Sequence, residues 1–329
     1  MSLTRQRRDP ILGQELLGRY QVVGRVGGGG VSDVYLARQS NVGNRNVAVK
    51  VLKRVLCTSD SAEAAVHRTR FHKEGKLLTV LRSASFVRVF DLGVLSDEGV
   101  QRPFMVMEYL SGVALSEQLK AGQPLGVELA LRHWLALAEG IAELHRIGVL
   151  YRDLSPGNVI IEEAGSNGLM PVLFDFSHVT LPGERSSGGG SETNGLLAGT
   201  PVYAAPEMAM VEGDVRGDIF SLCAVLYVML AGRAPLTLKG ATWEDYVEAV
   251  SKGRKMPERS LRSLEIQVPR SLDKLLVRGM ARNPDDRPGS IVELVEAVCQ
   301  SVLRSPEMFG VNGATNGLLS KIVGWLLNR

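Results

Sequence analysis

The sequence has only three cysteines, Cys57, Cys223 and Cys299, in 329 residues. They stand far apart in the chain and lack the close spacing of cysteines that bind a metal ion. The pattern therefore indicates reduced thiols in a cytoplasmic protein.

Long hydrophobic runs are also missing. The longest one, residues 219–232, is shorter than the ~20 residues that a helix needs to cross a bilayer, and it predicts the buried centre of a domain. No apolar segment follows the arginines near the start of the chain, so a secretory signal is not expected. We expect no transmembrane segment.

Charge of one sign is not in excess. The formal net charge is +3 and is spread along the chain, which predicts no nucleic-acid partner. The hydrophobic content of 45% and charged content of 22% are typical of a globular protein. The length allows one large domain or two modest ones.

Hydrophobic periodicity predicts mainly strands in the first third of the chain and helices after it. Strands are expected near residues 20–26, 31–39, 45–53, 86–94 and 103–110, with a helix over 61–82. Helices are expected over 125–149, 217–232, 242–252, 271–281 and 290–303. The change near 108–112 predicts a small sheet-rich lobe followed by a larger helical one.

Three stretches each have an ordinary and a functional interpretation. The glycines of "VGGGGVSDVYLA", residues 26–37, suit a hairpin turn or a loop whose N–H groups bind phosphate. Lys50 lies in an apolar strand and needs an anion if it is buried; Glu74 is a candidate, although a lone helix glutamate usually faces solvent. "VLYRDLSPGN", residues 149–158, is an exposed turn or a charged ligand site.

Eight motifs in a fixed order favour the functional interpretations. They are "GGGGVSDV", "VAVK", "FHKEGKLL", "YRDLSPGN", "FDFS", "GTPVYAAPE", "DIFSLC" and "DDRP". On these motifs the sequence resembles the eukaryotic-like serine/threonine protein kinases, particularly the bacterial ones, over roughly residues 20–303. One motif could arise by chance, but eight in this order could not.

The resemblance implies an α+β, bilobal protein-kinase fold, with a small β-rich N-lobe that has one main helix and a larger, mainly helical C-lobe. A mobile arm is expected over residues 1–18, the kinase domain over 19–303, and a linker with an amphipathic tail over 304–329. The bounds expected inside the domain are 19–107 for the N-lobe, 108–112 for the hinge and 113–303 for the C-lobe.

The resemblance also implies the function: transfer of the γ-phosphoryl group of ATP to serine or threonine hydroxyls of proteins, with Mg²⁺. The residues with expected catalytic roles are Lys50, Glu74, Asp153, Asn158 and Asp175, of which Asn158 and Asp175 would hold the metal. Those expected around the nucleotide are Gly27, Gly28, Gly29, Gly30, Val34, Ala48, Lys50, Met107, Glu108, Leu110 and Ile160. For the apolar ones, plain core packing is the alternative.

Two further contacts are expected to support the site. Glu207 would pair with Arg287, and Asp218 would hold the backbone of the catalytic loop. The "GTPVYAAPE" segment, which small-molecule kinases generally lack, favours a protein substrate.

Four residues depart from the family pattern: Ser32, Tyr151, Ser155 and Ser177. Ser32 and Tyr151 can fill the roles of the usual glycine and histidine. Ser155 replaces a lysine that reaches the γ-phosphate, and Ser177 replaces the glycine of the "DFG" segment. Two alternatives therefore stay open: a catalytically weak pseudokinase or nucleotide-binding scaffold, and a small-molecule phosphotransferase.

Regulation is expected through the stretch at 175–207, which has no periodicity. Arg152 could pair with a phosphate there. The candidate phosphorylation sites are Ser186, Ser187, Ser191 and Thr193, whereas Thr200 would support the substrate pocket. The tail at 317–329 could contact a membrane surface or a partner, but packing on its own domain is favoured.

Overall fold

The computed structural model describes residues 9–120, 122–163, 168–181, 201–209, 213–240, 242–309 and 324. The chain divides into two compact units. Of the described residues, the first contains those up to Arg82 and Phe86–Ser111, and the second contains Ser83–Ser85 and those from Gly112 onward. The predicted first lobe, 19–107, thus includes three residues that group with the second unit.

The first unit is built on a six-stranded antiparallel sheet with strand order β1-β2-β3-β4-β6-β5. The strands are β1 (Glu15–Leu16), β2 (Tyr20–Gly28), β3 (Ser32–Gln39), β4 (Arg45–Leu52), β5 (Val89–Asp97) and β6 (Val100–Glu108). Strand β4 is central and is buried from Val47 to Leu52 on both faces, which explains its almost unbroken apolar sequence.

Two helices accompany this sheet: α1 (Arg54–Thr58) and α2 (Ala62–Val80). Ser61 caps α2, because its side chain accepts a hydrogen bond from the N–H of Ala64 at 3.1 Å. Phe71 of α2 packs in one cluster with Leu52 and Met105 of the sheet. The predicted helix at 61–82 is confirmed, and α1 was not predicted.

Residues 9–18 contribute to the core of the first unit through Ile11 and Leu16, unlike the mobile arm expected over 1–18. Ile11 is fully buried, and it shares a cluster with Leu16, Tyr35 and other sheet residues. Asp9 accepts a hydrogen bond from the Tyr35 hydroxyl at 2.8 Å. The arginines near the start of the chain favoured a mobile arm, whereas these apolar side chains pack against one face of the sheet. Residues 1–8 lie outside the described part.

The second unit is mainly helical. Its helices are α3 (Leu115–Leu119), α4 (Val127–Arg146), α5 (Val215–Ala231), α6 (Trp243–Ser251), α7 (Arg270–Gly279) and α8 (Ile291–Leu303). A small antiparallel sheet joins β7 (Val113–Ala114), β8 (Val159–Glu163) and β9 (Leu169–Leu173), which were not predicted. The five long helices predicted after the change of pattern are confirmed to within a few residues.

Helices α4 and α5 form the centre of the second unit. Trp134 of α4 is buried and donates its indole N–H to the carbonyl of Leu222 in α5 at 2.9 Å. Every residue of α5 from Gly217 to Leu230 is buried, as its apolar sequence predicts. Among the described residues, no helix is long and apolar enough to span a membrane.

Candidate active site

The first unit contains a buried ion pair between β4 and α2. The Lys50 ammonium lies 2.7 Å from Oε1 and 2.8 Å from Oε2 of Glu74. Only 10% of the Lys50 side chain and 1% of the Glu74 side chain are exposed. A lysine this buried needs an anion, and the predicted partner supplies it; Glu74 is therefore not part of a solvated helix face.

The glycine loop connects β2 and β3 in the same unit. Gly27 is paired with Val34, and the N–H of Gly29 donates to the carbonyl of Ser32 at 2.9 Å. Gly28 has φ +158°, and a Cβ there would lie 3.0 Å from Asp33 Oδ1 and from the Arg25 guanidinium. Cβ atoms on Gly29 and Gly30 would meet no atom within 4 Å. The loop therefore leaves room for a ligand to approach its backbone.

Several residues predicted to contact the nucleotide share one face of the first sheet. Ala48 is paired with Met107, and Val34 with Lys50. Because Ala48 and Lys50 are two positions apart on β4, all four side chains lie on the same face. Ala48 and Met107 are largely buried.

Glu108 and Leu110 lie at and just beyond the end of β6. The N–H of Glu108 donates to the carbonyl of Arg88 at 2.9 Å, and a Glu108 carboxylate oxygen accepts from the N–H of Arg88 at 2.9 Å. These two bonds hold the end of the strand. Leu110 is half-buried, and Ile160 belongs to β8 of the second unit.

The turn that follows α4 brings Asp153 and Asn158 together. The Asn158 amide donates to the carbonyl of Asp153 at 2.8 Å and to its Oδ2 at 2.9 Å. Since the amide N–H₂ is used in this way, the amide oxygen of Asn158 remains available as an acceptor. Hydrogen bonds between its own residues therefore fix the conformation of this turn, unlike that of an ordinary exposed turn.

Burial, followed by the negative charge of Asp175, raises the pKa of the Asp153 carboxyl, and the hydrogen bond from Asn158 opposes the shift; together they bring this pKa to about 7. A carboxyl with a pKa near neutrality can accept a proton from a hydroxyl group at physiological pH. Asp175 itself accepts a hydrogen bond from the N–H of Ser177 at 3.1 Å.

Tyr151 links the turn to the segment that carries Asp175. Its hydroxyl donates to the carbonyl of Asp175 at 2.7 Å, and its ring packs edge-on against Phe176 with the ring centres 5.2 Å apart. The prediction that tyrosine fills the stacking role of the usual histidine is confirmed. Ser155, which replaces the usual lysine, is buried.

Asp218 of α5 holds the backbone of the turn. Its two carboxylate oxygens accept hydrogen bonds from the N–H groups of Tyr151 at 2.9 Å and Arg152 at 2.7 Å. Arg152 has φ +69°, a conformation that costs a non-glycine residue about 1–3 kcal/mol. The predicted contact is confirmed, and it explains how the strained turn persists.

His145 was not identified from the sequence. Its Nε2 lies 2.8 Å from Oδ2 of Asp218. The residue stands at the C-terminal end of α4, six positions before the tyrosine of the turn, and nothing in the local pattern distinguishes it from other helix-end histidines. Only the packing of α4 against α5 reveals this contact.

The predicted pair of Glu207 and Arg287 is confirmed. The two terminal nitrogens of Arg287 lie 2.5 and 2.8 Å from the two carboxylate oxygens of Glu207. The two parallel hydrogen bonds fix the orientation of the Glu207 carboxylate, in addition to the attraction between the opposite charges.

Some predicted residues lie outside the described part of the chain. They are Ser186, Ser187, Ser191, Thr193, Thr200 and nearly all of the tail at 317–329. Arg152, their expected partner, has a buried Nε with no hydrogen-bond acceptor among the described residues. Its pairing with a phosphate stays a prediction.

The residues with expected catalytic roles are therefore divided between the units. The first unit joins Lys50 to Glu74, and the second joins Asp153 to Asn158, with Asp175 close enough to affect the Asp153 pKa.

Comparison with known proteins gives one consistent result. A family model described as "Protein kinase domain" matches residues 20–303. Serine/threonine-protein kinase Pkn1 of Myxococcus xanthus is 29% identical, over 88% of this chain and 39% of its own length. Serine/threonine-protein kinase pkn2 of the same bacterium is 32% identical, over 85% of this chain and 32% of its own length.

A third relative is also named a serine/threonine-protein kinase. Serine/threonine-protein kinase A of Synechocystis sp. is 32% identical, over 86% of this chain and 53% of its own length. The chain thus spans about a third to a half of the length of these curated relatives.

Proposed function

Because the chain belongs to the protein kinase domain family, we propose that it transfers the γ-phosphoryl group of ATP to serine or threonine hydroxyls of protein substrates. Use of ATP and a divalent metal is general in this family. We further propose that the metal is Mg²⁺. The catalytic roles are proposed for Lys50, Glu74, Asp153, Asn158 and Asp175 of this chain.

The observation that carries the proposal is the buried ion pair between Lys50 and Glu74. In protein kinases this pair must be in place for the lysine to bind the phosphates of ATP. The ammonium lies on the same sheet face as Val34, Ala48 and Met107, the residues proposed to contact the base. The N–H groups of the glycine loop add donors for the phosphates.

Asp153 is proposed to orient the acceptor hydroxyl and to take its proton. Asn158 holds the Asp153 carboxylate through Oδ2, which fixes the direction of the other oxygen. Phosphoryl transfer needs little covalent help from a protein, so positioning and neutralisation of charge account for most of the catalysis.

The side chains available for a metal fit Mg²⁺. Asn158 offers an amide oxygen whose nitrogen is already hydrogen-bonded, and Asp175 offers a carboxylate. Such hard oxygen ligands suit Mg²⁺, which also keeps several waters and phosphate oxygens in its coordination shell. When bound, the ion supplies positive charge that neutralises the phosphate oxygens.

Serine/threonine specificity and a protein substrate are supported by two facts. The relatives named above carry that specificity in their names. The segment "PVYAAPE", residues 201–207, is fixed in place by the Glu207–Arg287 pair, as a surface that receives a peptide must be.

The three cysteines are free, which supports a reducing, cytoplasmic location that cell fractionation would check.

The test is phosphoryl transfer from labelled Mg-ATP to a generic protein acceptor by the wild type and by Asp153→Asn. We expect label on serine and threonine with the wild type, and a loss of about 100-fold or more in kcat with the variant, because the amide cannot take the proton. Phosphoamino-acid analysis identifies the acceptor.

Two outcomes would contradict the proposal. Nucleotide binding without transfer by the wild type would favour the nucleotide-binding scaffold, to which the replacements at Ser155 and Ser177 point. Label on small-molecule acceptors but not on protein would favour the small-molecule phosphotransferase.

A further inference from the structure

A cavity lies in the second unit, among residues with none of the expected catalytic roles. It encloses about 280 Å³ next to the C-terminal ends of α6 and α7 and to Pro206. Its apolar walls come from Pro206, Val250, Met256, Val277 and Met280. Met280 is fully buried, whereas 41% of Val277 is exposed at the opening, so the cavity runs from solvent into the core.

The described residues that line the cavity supply positive charge. Arg254, Lys255 and Arg282 are among them, and none of the described lining residues is acidic. Glu258, just outside the lining, forms an ion pair with Arg254. Lys255 and Arg282 have no ion pair with any described residue, so two cations remain available to a ligand.

The walls are fixed in place before any ligand arrives. The Arg287 side chain, which is fully buried, holds the carboxylate of Glu207 next to Pro206. The same guanidinium donates to the carbonyl of Ala281 at 2.8 Å and to that of Arg282 at 3.2 Å. One side chain therefore joins two walls of the cavity, and a rigid pocket loses little entropy on binding.

Size decides between the possible ligands. Sites for drug-sized molecules usually enclose about 300–1,000 Å³. This cavity lies just below that range and suits one large apolar side chain. The two cations at its opening suit carboxylates that flank such a side chain. An acidic peptide with a single large apolar residue meets both conditions.

We propose that this cavity is a docking site for an acidic segment of the protein substrate, with one large apolar side chain inserted between α6 and α7 and flanking carboxylates at Lys255 and Arg282. The inference rests on the proposed kinase function, because it assigns the docked segment to the substrate. Docking here would raise the local concentration of the acceptor hydroxyl without taking part in the chemistry.

Binding is measured on the full chain by fluorescence anisotropy without ATP, which keeps it independent of catalysis. The probe is a short fluorescein-labelled peptide in which a phenylalanine is flanked by glutamates. Matched probes replace the phenylalanine by alanine or the glutamates by lysines. We expect the first probe to bind more tightly than either matched probe and to weaken as salt is added.

The variants reverse the exposed charges. Lys255→Glu combined with Arg282→Glu should weaken binding of the acidic probe by about tenfold or more, because attraction becomes repulsion. The control is Lys274→Glu, an exposed lysine on α7 that does not line this cavity, and it should change binding less than twofold by comparison. Val277→Gln tests the apolar wall and should also weaken binding.

A kinase assay connects docking to the reaction. A protein acceptor fused to the acidic sequence should have a lower KM than the unfused acceptor with the wild type, and the double variant should remove this difference while leaving kcat on the unfused acceptor unchanged. No preference for the acidic probe, or equal binding by the wild type and the double variant, would overturn the proposal. Binding of vesicles of anionic lipid in place of the peptide would also overturn it.

The two proposals fail in different ways. If the chain is not a kinase, neither acceptor is labelled, yet the anisotropy result still shows whether the cavity binds the peptide. If the cavity does not dock a peptide, the unfused acceptor is labelled as before and only the difference in KM is missing.

Discussion

At the scale of single residues, the candidate site depends on the ion pair between Lys50 and Glu74. Glu74 lies on a helix with no clear apolar stripe, so its own pattern favours a solvent-exposed glutamate. The order of the motifs instead predicted that Glu74 pairs with Lys50, and the residue is buried against that lysine. The pair was therefore predictable from resemblance but not from periodicity.

Replacing Glu74 by glutamine tests this pair. Glutamine keeps the size but removes the charge, which leaves the Lys50 ammonium buried without its anion, so we expect a loss of stability of about 3–5 kcal/mol in urea unfolding. We also expect a fall in kcat/KM on the order of 100-fold, because the lysine is no longer held for the phosphates.

The control for this change is Glu63→Gln in the first turn of the same helix. That side chain is 64% exposed, and its one ion-pair partner among the described residues is His67, whose Nε2 lies 3.8 Å from Glu63 Oε1. Its loss should alter stability by less than about 1 kcal/mol. Equal effects of the two substitutions would show that the buried pair has no special role.

At the scale of elements, helix α5 holds the backbone of the turn that follows α4. The apolar sequence of residues 219–232 predicted a buried helix, and the structure confirms it. The functional contribution of the helix comes from its first turn, where Asp218 faces two backbone N–H groups of the turn. Hydrophobic burial fixes the position of the helix, and Asp218 in its first turn holds the backbone of the turn at Tyr151 and Arg152.

We predict that Asp218→Asn lowers kcat more than it raises the KM for ATP. An asparagine has one oxygen in place of two, so either the Tyr151 or the Arg152 N–H loses its acceptor, at a cost of about 1–3 kcal/mol. The Arg152 conformation then relaxes. Steady-state kinetics with varied ATP separates the two effects.

Asp214→Asn is the matched control, since this residue caps the same helix. Asp214 is 58% exposed and accepts from the N–H of Arg216. Asparagine caps a helix about as well as aspartate, so kcat should be unchanged. A fall in kcat with this variant as large as that with Asp218→Asn would show that the effect comes from the helix start in general.

At the scale of the whole molecule, the two units differ in how they bury their cores. The first unit packs Ile11 and Leu16 against one face of its sheet, and the second surrounds the apolar helix α5 with other helices. Residues 9–18 are thus part of the folded unit.

Truncating Ile11 to alanine should destabilise the first unit. Removing a fully buried isoleucine side chain costs about 2–5 kcal/mol. Urea unfolding followed by circular dichroism gives the size of the loss, and hydrogen exchange of the strand residues 20–39 shows where it occurs. The neighbouring Leu12 is 43% exposed, so Leu12→Ala should have little effect. Slow exchange that Ile11→Ala leaves unchanged would restore the expectation of a mobile arm.

The amino-acid order was enough to indicate the family, the order of the main strands and helices, and the identity of the residues that would hold the phosphates. Chemistry of this kind needs particular side chains at particular spacings, and periodicity reports which faces are buried. The packing in three dimensions shows further contacts: His145 with Asp218, Ile11 with the sheet, and an apolar cavity beside Lys255 and Arg282, which have no ion pair with a described residue. Those contacts join residues distant in the chain, and no local pattern encodes a distance in space.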